Sequence, residues 1–224
     1  MHQKINILST KTLSKDLISI LPVNNFNTLS LDFIQTNRIP FDEKEILNSS
    51  NHWIISSKNT LNILFDTYSL EDLKHIFFYC VGDKTSNIIT HNNLKLITSA
   101  QSSSDLAKDI VENYNQTVFT FIGGEMRRKE LTRILKSQTI ELSKYNVYST
   151  NLFPCKIESK QNGILFFSPS AVQSFVLKNT ITTEQLFCIG NTTANEAKQY
   201  STNINIAQNQ TIESVIELVK TYYK

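Results

Sequence analysis

The sequence predicts an α/β protein made of two similar domains, each built on a parallel sheet. Three observations support this fold class: apolar runs alternate with helical stretches, one such segment occurs twice, and glycine is scarce and falls mainly where predicted strands end. Strands that alternate with helices are typical of parallel sheets covered by helices. A chain of 224 residues holds one large domain or two small ones, and a repeat of half the molecule favours two.

The repeat relates residues 53–86 to residues 164–194. Each copy has an apolar run, then Ser-x-(Asn/Ser), a helical stretch, a second apolar run and Gly-x-x-Thr. The matching positions are Ser57, Asn59, Gly82 and Thr85 in the first copy and Ser168, Ser170, Gly190 and Thr193 in the second. Both motifs come where a strand ends, and ligands of parallel sheets bind at that edge. The sequence therefore predicts two matching edges with an active-site cleft between the domains.

A third α/β unit lies in the middle of the chain. Residues 118–122 predict a strand, Gly123 and Gly124 follow it, and residues 125–137 predict a helix. The N-terminal apolar run, residues 5–8, needs a sheet to join. We expect it in the sheet of the second copy, which requires a strand and a helix before its own first apolar run.

Two stretches without helical spacing, residues 29–45 and 139–151, alternate polar and apolar side chains. This alternation is typical of strands, and we interpret the two stretches as linker strands between the domains. The expected domains are then a discontinuous one, residues 1–28 with 152–224, and an inserted one, residues 46–138.

Composition and charge exclude several classes of protein. Hydrophobic residues make up 40% of the chain, which is too much for a disordered protein. Basic and acidic residues number 22 and 20, and the resulting net charge of +2 does not favour a nucleic-acid partner. No apolar run is long enough to span a membrane, and the N-terminal run turns polar at Ser9, too early for a signal peptide.

The cysteines and histidines predict neither a disulfide framework nor a metal site. Cys80, Cys155 and Cys188 are odd in number and widely spaced, which indicates reduced thiols and a cytoplasmic location. The four histidines show no metal-ligand spacing with one another or with the cysteines. We therefore expect no metal.

The residues at the strand ends admit two interpretations. Serine and asparagine at the start of a helix are commonly N-caps, which satisfy free N–H groups. The same N–H groups and hydroxyls can hold a carboxylate instead. Lys58 adds a positive charge at the first edge, and Pro169 stands at the matching place in the second. The Gly-x-x-Thr turns are likewise either hydroxyl-capped helix starts or anion cradles.

A basic cluster follows Gly124, with Arg127 and Arg128 at the start of the predicted helix. Cations at a helix N-terminus oppose the helix dipole, so a bound anion would explain their position. The alternative is a solvated face on which Glu125 pairs with Lys129.

Tyr148 lies on the second predicted linker strand. A tyrosine in a strand usually serves packing. If this strand lines the cleft, however, the Tyr148 hydroxyl could donate a proton to a leaving group. The residues themselves assemble no convincing pair of nucleophile and general base.

Taken in order, the motifs resemble those of the uroporphyrinogen-III synthase family. That family has Ser-x-(Asn/Ser) and Gly-x-x-Thr twice, with Gly-x-x-(Lys/Arg)-Arg-x-x-Leu and Val-Tyr-x-Thr between the copies. The six matching segments of this sequence are 55–61, 81–86, 124–131, 147–150, 167–172 and 189–194. Each motif alone is weak, but the ordered set covers nearly the whole chain.

The resemblance implies a two-domain enzyme that converts hydroxymethylbilane, a linear tetrapyrrole, to uroporphyrinogen III. The reaction closes the ring, inverts its last pyrrole (ring D) and releases water, and it needs no metal or organic cofactor. Tyr148 matches the family tyrosine proposed as the proton donor. The substrate-binding residues that the resemblance implies are Ser57, Lys58, Asn59, Gly82, Thr85, Gly124, Arg127, Arg128, Ser168, Pro169, Ser170, Gly190 and Thr193.

We expect a monomer that contacts the hydroxymethylbilane-producing enzyme transiently and binds neither nucleic acid nor membrane. Glu125 departs from the family, which often has Asn there, and its carboxylate would repel an anionic substrate. Two other classes stay open. One is a non-catalytic two-domain protein that binds small anions with the same duplicated halves; the other is a different lyase or transferase on the same scaffold.

Overall fold

Two largely parallel sheets with helices on their faces organise the residues that the structure describes. The structure is a computed structural model, and it describes residues 4–125 and 130–224. The elements up to residue 113 are β1 (Ile5–Ser9), α1 (Lys15–Ser19), β2 (Phe26–Ser30), β3 (Ile34–Arg38), α2 (Glu43–Leu47), β4 (His52–Ile55), α3 (Lys58–Thr67), α4 (Leu70–Leu73), β5 (Phe77–Val81), α5 (Asp83–His91), β6 (Lys95–Ala100) and α6 (Ser103–Asn113). The elements that follow are β7 (Phe119–Gly124), α7 (Glu130–Ser137), β8 (Leu142–Leu152), β9 (Gly163–Phe166), α8 (Pro169–Val176), β10 (Gln185–Cys188), α9 (Asn191–Ala197), β11 (Ile204–Ile206) and α10 (Ile212–Tyr222).

The chain forms two units. One holds the chain up to Gln35 and from Asn151 to Lys224, and the other holds Thr36–Thr150. The expected α/β class with parallel sheets is confirmed. The domain boundaries expected near residues 28, 46, 138 and 152, and the linker role of the two stretches between them, stay predictions.

The five-stranded sheet has the order β11-β10-β9-β1-β2. Strand β1 pairs in parallel with β9 on one side, where Ile7 lies opposite Gly163, and with β2 on the other, where Ile7 lies opposite Thr28. The N-terminal apolar run therefore lies in the sheet of the second copy, and that expectation is confirmed. It places the end of β1 beside the end of β9.

The six-stranded sheet has the order β3-β8-β7-β4-β5-β6. Strand β7 pairs in parallel with β4 and with β8, and it continues to Gly124, which lies opposite Tyr148. The strand is longer than the expected 118–122 because this last pair still belongs to the ladder. Glu125 lies in a turn, so the expectation that the helix starts at residue 125 is wrong; among the described residues the helix begins at Glu130.

The two sheets share one strand arrangement in two different chain orders. When the first strands of the two repeated segments, β4 and β9, are aligned, the order β8-β7-β4-β5-β6 in one sheet matches the order β2-β1-β9-β10-β11 in the other. The strands β7 and β8 come last in the sequence of their unit, whereas the matching strands β1 and β2 come first in the chain. The duplication therefore extends beyond the repeated segments, but in permuted order.

Side chains alternate between the two faces of each sheet, as the strand period requires. On β4, Trp53 and Ile55 pack against α3 and α5, whereas Ile54 packs against α6 and α7. On β9, Phe166 packs against α8 and α9, whereas Leu165 packs against α10. Each fully buried side chain of this size contributes about 1.5–3 kcal/mol through removal from water, so both faces of the central strands stabilise the fold.

The helices are short. The longest among the described residues, α6 and α10, have 11 residues each. Within the described ranges, no helix is both long and apolar enough to cross a membrane.

The cysteines differ in accessibility, and this predicts a labelling pattern. Cys80 on β5 and Cys188 on β10 are fully buried, and burial raises the pKa of both thiols to about 12. Cys155 is half-buried. Because the thiolate is the reactive form, we expect Ellman's reagent to modify Cys155 rapidly in the folded protein and the other two only after unfolding. A Cys155→Ser variant should lose the rapid phase; a rapid phase that persists in it would contradict the prediction.

A second prediction concerns the dependence of stability on pH. His52 on β4 stacks on Phe77 at 4.9 Å, its Nδ1 lies 3.0 Å from the Tyr79 hydroxyl, and burial lowers its pKa from 6.5. Between the folded pKa and 6.5 the unfolded state therefore binds more protons, so the free energy of unfolding falls as the pH drops below about 6.5.

Urea unfolding of wild type and a His52→Phe variant between mildly acidic and neutral pH measures this effect. The variant should lose part of the pH dependence, whereas His91→Gln, which changes an exposed histidine at the end of α5, should keep it. Equal slopes for His52→Phe and wild type would refute the assignment.

Candidate functional site

The carboxyl ends of β7, β4 and β5, together with the part of β8 that lies beside the end of β7, bring together the site residues expected in the six-stranded sheet. Neighbouring strands of a sheet lie about 4.8 Å apart, so residues that follow adjacent strand ends are side by side. In strand order these residues are Tyr148, Gly124, then Ser57, Lys58 and Asn59, then Gly82 and Thr85. The topology therefore places all of them along one edge.

Tyr148 and Gly124 are in direct contact. They lie opposite each other in the β7–β8 ladder, and the Glu125 amide donates to the Tyr148 carbonyl at 3.0 Å. A Cβ atom at position 124 would lie 2.5 Å from Cε2 and 3.0 Å from the hydroxyl oxygen of Tyr148. Only glycine lets the ring occupy this place, so Gly124 positions Tyr148.

The Tyr148 ring packs against the core cluster that contains Ile55 and Ile122, yet the residue as a whole is only half-buried. None of the described residues hydrogen-bonds its hydroxyl. The ring is therefore held at the edge of the sheet, and its O–H group has no hydrogen-bond partner among the described residues. This is the geometry that a proton donor requires.

Ser57 begins α3. Its Oγ accepts a hydrogen bond from the Asn59 amide at 3.1 Å, so the capping interpretation of this serine is confirmed. Lys58, the first residue of the helix, is exposed, and Asn59 is half-buried. The first turn of α3 thus carries an exposed cation and the positive end of the helix dipole at the same edge.

Gly82 leads from β5 into α5 with a φ of +89°, a backbone conformation that L side chains rarely adopt. No side chain caps this helix, so the interpretation of the turn as a hydroxyl-capped start is wrong. Thr85 is only 4% exposed, and its amide donates to the Gly82 carbonyl at 3.0 Å. The turn therefore presents backbone rather than the Thr85 side chain to solvent.

The five-stranded sheet has a matching edge. Ser168 is the N-cap residue of α8, and its Oγ accepts a hydrogen bond from the Ala171 amide at 3.1 Å. Pro169 is the first residue of the helix, and Ser170 is half-buried. At the end of β10, Gly190 has an extended backbone, and α9 also lacks a side-chain cap. Thr193 is 3% exposed, as buried as its counterpart in the other copy.

Lys11 follows β1 at this second edge, and the sequence analysis did not single it out. The chain bends away from the sheet after Thr10, whose Oγ1 donates to the Leu165 carbonyl of β9 at 2.7 Å. Lys11 was missed because β1 lies outside both of the repeated segments, 53–86 and 164–194. The signal that could have revealed it is the permuted repeat, in which β1 takes the place that β7 has in the other sheet.

Arg127 and Arg128 lie outside the described residues, so the structure does not place their side chains. The described part of the chain contains no group of three or more histidine, cysteine, aspartate or glutamate side chains that could hold a metal ion. The chemistry that the described residues offer at the two edges is hydrogen bonding, positive charge and the hydroxyl of Tyr148.

Comparisons with known proteins agree on one family. The model of the family described as uroporphyrinogen-III synthase HemD matches residues 25–217. A curated relative, the porphyrin biosynthesis protein HemD of Ruminiclostridium josui, is 24% identical over 238 aligned residues. The match covers 96% of this chain and 47% of the relative, so the chain spans about half the length of the curated relative that it matches.

Solved structures show the same fold. The uroporphyrinogen-III synthetase of Helicobacter pylori 26695 has a TM-score of 0.76 at 17% identity, with 97% of this chain and 99% of that chain covered. A mutant uroporphyrinogen III synthase of Thermus thermophilus has a TM-score of 0.68 at 11% identity, with 97% and 98% covered. Since the family model matches most of the sequence, the chain belongs to the uroporphyrinogen-III synthase family.

Proposed function

We propose that this chain catalyses the reaction of its family, the cyclisation of hydroxymethylbilane to uroporphyrinogen III in tetrapyrrole and haem biosynthesis. The observation that carries the proposal is the pair Tyr148–Gly124. A glycine holds a tyrosine ring at the carboxyl edge of a parallel sheet with its hydroxyl unpaired among the described residues. The proposed reaction needs a proton donor at such an edge.

In the proposed reaction Tyr148 donates a proton to the terminal hydroxymethyl group. The carbon–oxygen bond then breaks, and the oxygen leaves as water. Ring D of the same molecule attacks the resulting cation through the α-carbon that already carries its bridge to ring C. That bridge bond then breaks, the cation left on the bridge carbon is attacked by the other α-carbon of ring D, and ring D is thereby inverted. Loss of a proton from ring D restores the pyrrole and offsets the proton given up by Tyr148, so that water is the only net product besides uroporphyrinogen III. Because both reacting ends belong to one flexible molecule, holding its conformation is the main contribution expected of the protein.

The negative charges of the substrate indicate which groups of the protein would bind it. Each acetate and propionate arm of hydroxymethylbilane carries a carboxylate. Carboxylates bind favourably at helix N-termini and beside cations. We propose that Lys58, the half-buried Ser170 and the first turns of α3 and α8 bind such arms, together with the remaining residues assigned to substrate binding from the resemblance.

Glu125 affects whether a carboxylate of the substrate can bind near the end of β7. Its side chain is exposed in the turn after Gly124, and its amide is occupied by the Tyr148 carbonyl. A carboxylate of the substrate near Gly124 would meet repulsion from Glu125. We propose that Arg127 and Arg128, which follow in the sequence, offset that repulsion, and that the enzyme acts as a cytoplasmic monomer without a metal.

The decisive test of the function is the isomer that is formed. Freshly generated hydroxymethylbilane closes without catalysis to uroporphyrinogen I, so an excess of isomer III that depends on this protein would establish the reaction. We expect isomer III, separated from isomer I by chromatography after oxidation. Well-folded protein that yields only isomer I would refute the proposal and favour a protein that binds small anions.

The role of Tyr148 is tested by Tyr148→Phe. We expect kcat to fall by about a hundredfold with little change in KM, because a general acid contributes mainly in the transition state. Folding should be unaffected, since no described residue depends on the hydroxyl for a hydrogen bond. Tyr200→Phe, which alters an exposed tyrosine after α9, serves as the control and should keep full activity. Full activity of Tyr148→Phe would exclude Tyr148 as the acid.

Gly124→Ala tests whether the close approach to the ring matters. The added Cβ would lie 2.5 Å from the ring, so the tyrosine must move. We expect about 1–3 kcal/mol loss of stability from overpacking and a kcat lowered about tenfold to a hundredfold by misplacement of the hydroxyl.

The matched control for this variant is Gly163→Ala at the start of β9, where a Cβ would lie 2.9 Å from Cε2 of Phe187. That change introduces a similar clash at the opposite edge of its sheet. It should cost stability but leave the activity of each folded molecule unchanged. Equal effects of the two variants on kcat would show that Gly124 serves only packing.

A further inference from the structure

The chain is held firmly where β1 leaves the five-stranded sheet. The Thr10 amide and Oγ1 both donate to the Leu165 carbonyl of β9, at 3.1 and 2.7 Å. One residue later the Lys11 amide donates to Ser9 Oγ at 3.3 Å, and Ser9 Oγ donates to the Lys11 carbonyl. The backbone of Lys11 therefore has a defined place at the edge of the sheet, whereas its side chain is exposed.

Lys11 has no ion-pair partner among the described residues. The acid that closes the same loop, Asp32, accepts hydrogen bonds from the amide and the hydroxyl of Thr12, at 2.9 and 2.8 Å. Each oxygen of Asp32 accepts a hydrogen bond from Thr12, and no ion pair joins Asp32 to Lys11 among the described residues.

Basic residues follow the corresponding strand in both sheets. Strand β1 holds the place in its sheet that β7 holds in the other. β7 ends at Gly124, and the basic residues Arg127 and Arg128 follow closely in the sequence; β1 ends at Ser9, and Lys11 follows. Positive charge therefore comes after the matching strand of each sheet, although the two segments share no motif.

The neighbouring strand adds to this environment. Leu165, which anchors Thr10, lies on β9, and β9 leads through Ser168 into α8. The carboxyl ends of β1 and β9 lie at one edge because the strands are parallel neighbours. A carboxylate at this edge would meet the Lys11 ammonium group and the positive end of the α8 dipole.

From the anchored backbone, the free charge and the matching strand ends, we propose that Lys11 binds a carboxylate arm of the tetrapyrrole substrate. The inference rests on the proposed synthase function and adds to it a binding residue that lies outside every motif of the resemblance. Lys11 is a binding residue rather than a catalytic one. It should contribute equally to the bound substrate and the transition state, and therefore to KM rather than kcat.

Steady-state kinetics with freshly generated hydroxymethylbilane test the inference at low ionic strength. Lys11→Met keeps the length of the side chain and removes its charge, and we expect KM to rise about tenfold with little change in kcat. Lys11→Arg should restore a KM near that of wild type. The difference between wild type and Lys11→Met should shrink as salt is added, because screening weakens the ion pair.

Lys178→Met is the matched control, since it removes the same charge from an exposed lysine just beyond the C-terminal end of α8, at the opposite edge of the same sheet. It should leave KM unchanged. A second readout without turnover is the affinity for uroporphyrin III, a stable oxidised form of the product, measured by fluorescence quenching; it should weaken in Lys11→Met alone.

The outcomes separate the two proposals. If wild type forms isomer III but Lys11→Met keeps the KM and uroporphyrin affinity of the Lys178→Met control, the inference is overturned and the proposed function stands. If wild type forms only isomer I, the function fails and the inference falls with it. A rise in KM that Lys11→Arg does not reverse would also overturn the inference, because it would indicate lost packing rather than lost charge.

Discussion

Parallel pairing of the central strands is the constraint on which the candidate site depends. A parallel sheet sends each chain back along a helix, so all carboxyl ends of its strands, and all N-termini of the following helices, lie at one edge. In the six-stranded sheet this edge holds the residues after β4, β5 and β7 and, beside the end of β7, Tyr148 of β8. In the five-stranded sheet the corresponding edge holds the residues after β1, β9 and β10. Residues far apart in the sequence thereby become neighbours, and the strand order alone decides which.

The core makes this arrangement stable. The central strands are buried on both faces, and alternate residues of β4 and β9 enter different clusters of apolar side chains. This pattern leaves no free choice of register, because a shift by one residue would exchange the two faces. The register therefore fixes which residues lie at the strand ends, and a site built on hydroxyls and backbone N–H groups requires such fixed positions.

Within this frame, the contact between Gly124 and Tyr148 distinguishes the six-stranded sheet from its counterpart. The absence of a side chain at position 124 allows the aromatic ring to lie over the end of β7. In the other sheet the last paired residues of β1 and β2 are Ser9 and Ser30, and neither carries an aromatic ring. The two halves are thus alike in strand order and in capped or uncapped helix starts, but among the described residues only the six-stranded sheet has a tyrosine at the end of this strand pair. This asymmetry agrees with the proposal that both edges bind carboxylates and that one of them also supplies the proton donor.

The sequence by itself determined the α/β class, the duplicated strand-to-helix motifs and the family, because apolar periodicity and short motifs are local properties of the chain. It also located Tyr148 and Gly124 separately. Only the tertiary structure decided that these two residues touch, that Thr85 and Thr193 are buried, and that β1, which precedes Lys11, pairs with β9, which leads into α8. These facts depend on strand order and register, which arise from pairing between segments as distant as β1 and β9, and no local pattern of residues specifies such pairing. The permuted repeat shows the limit most clearly, since the same arrangement of strands is reached from two different orders along the chain.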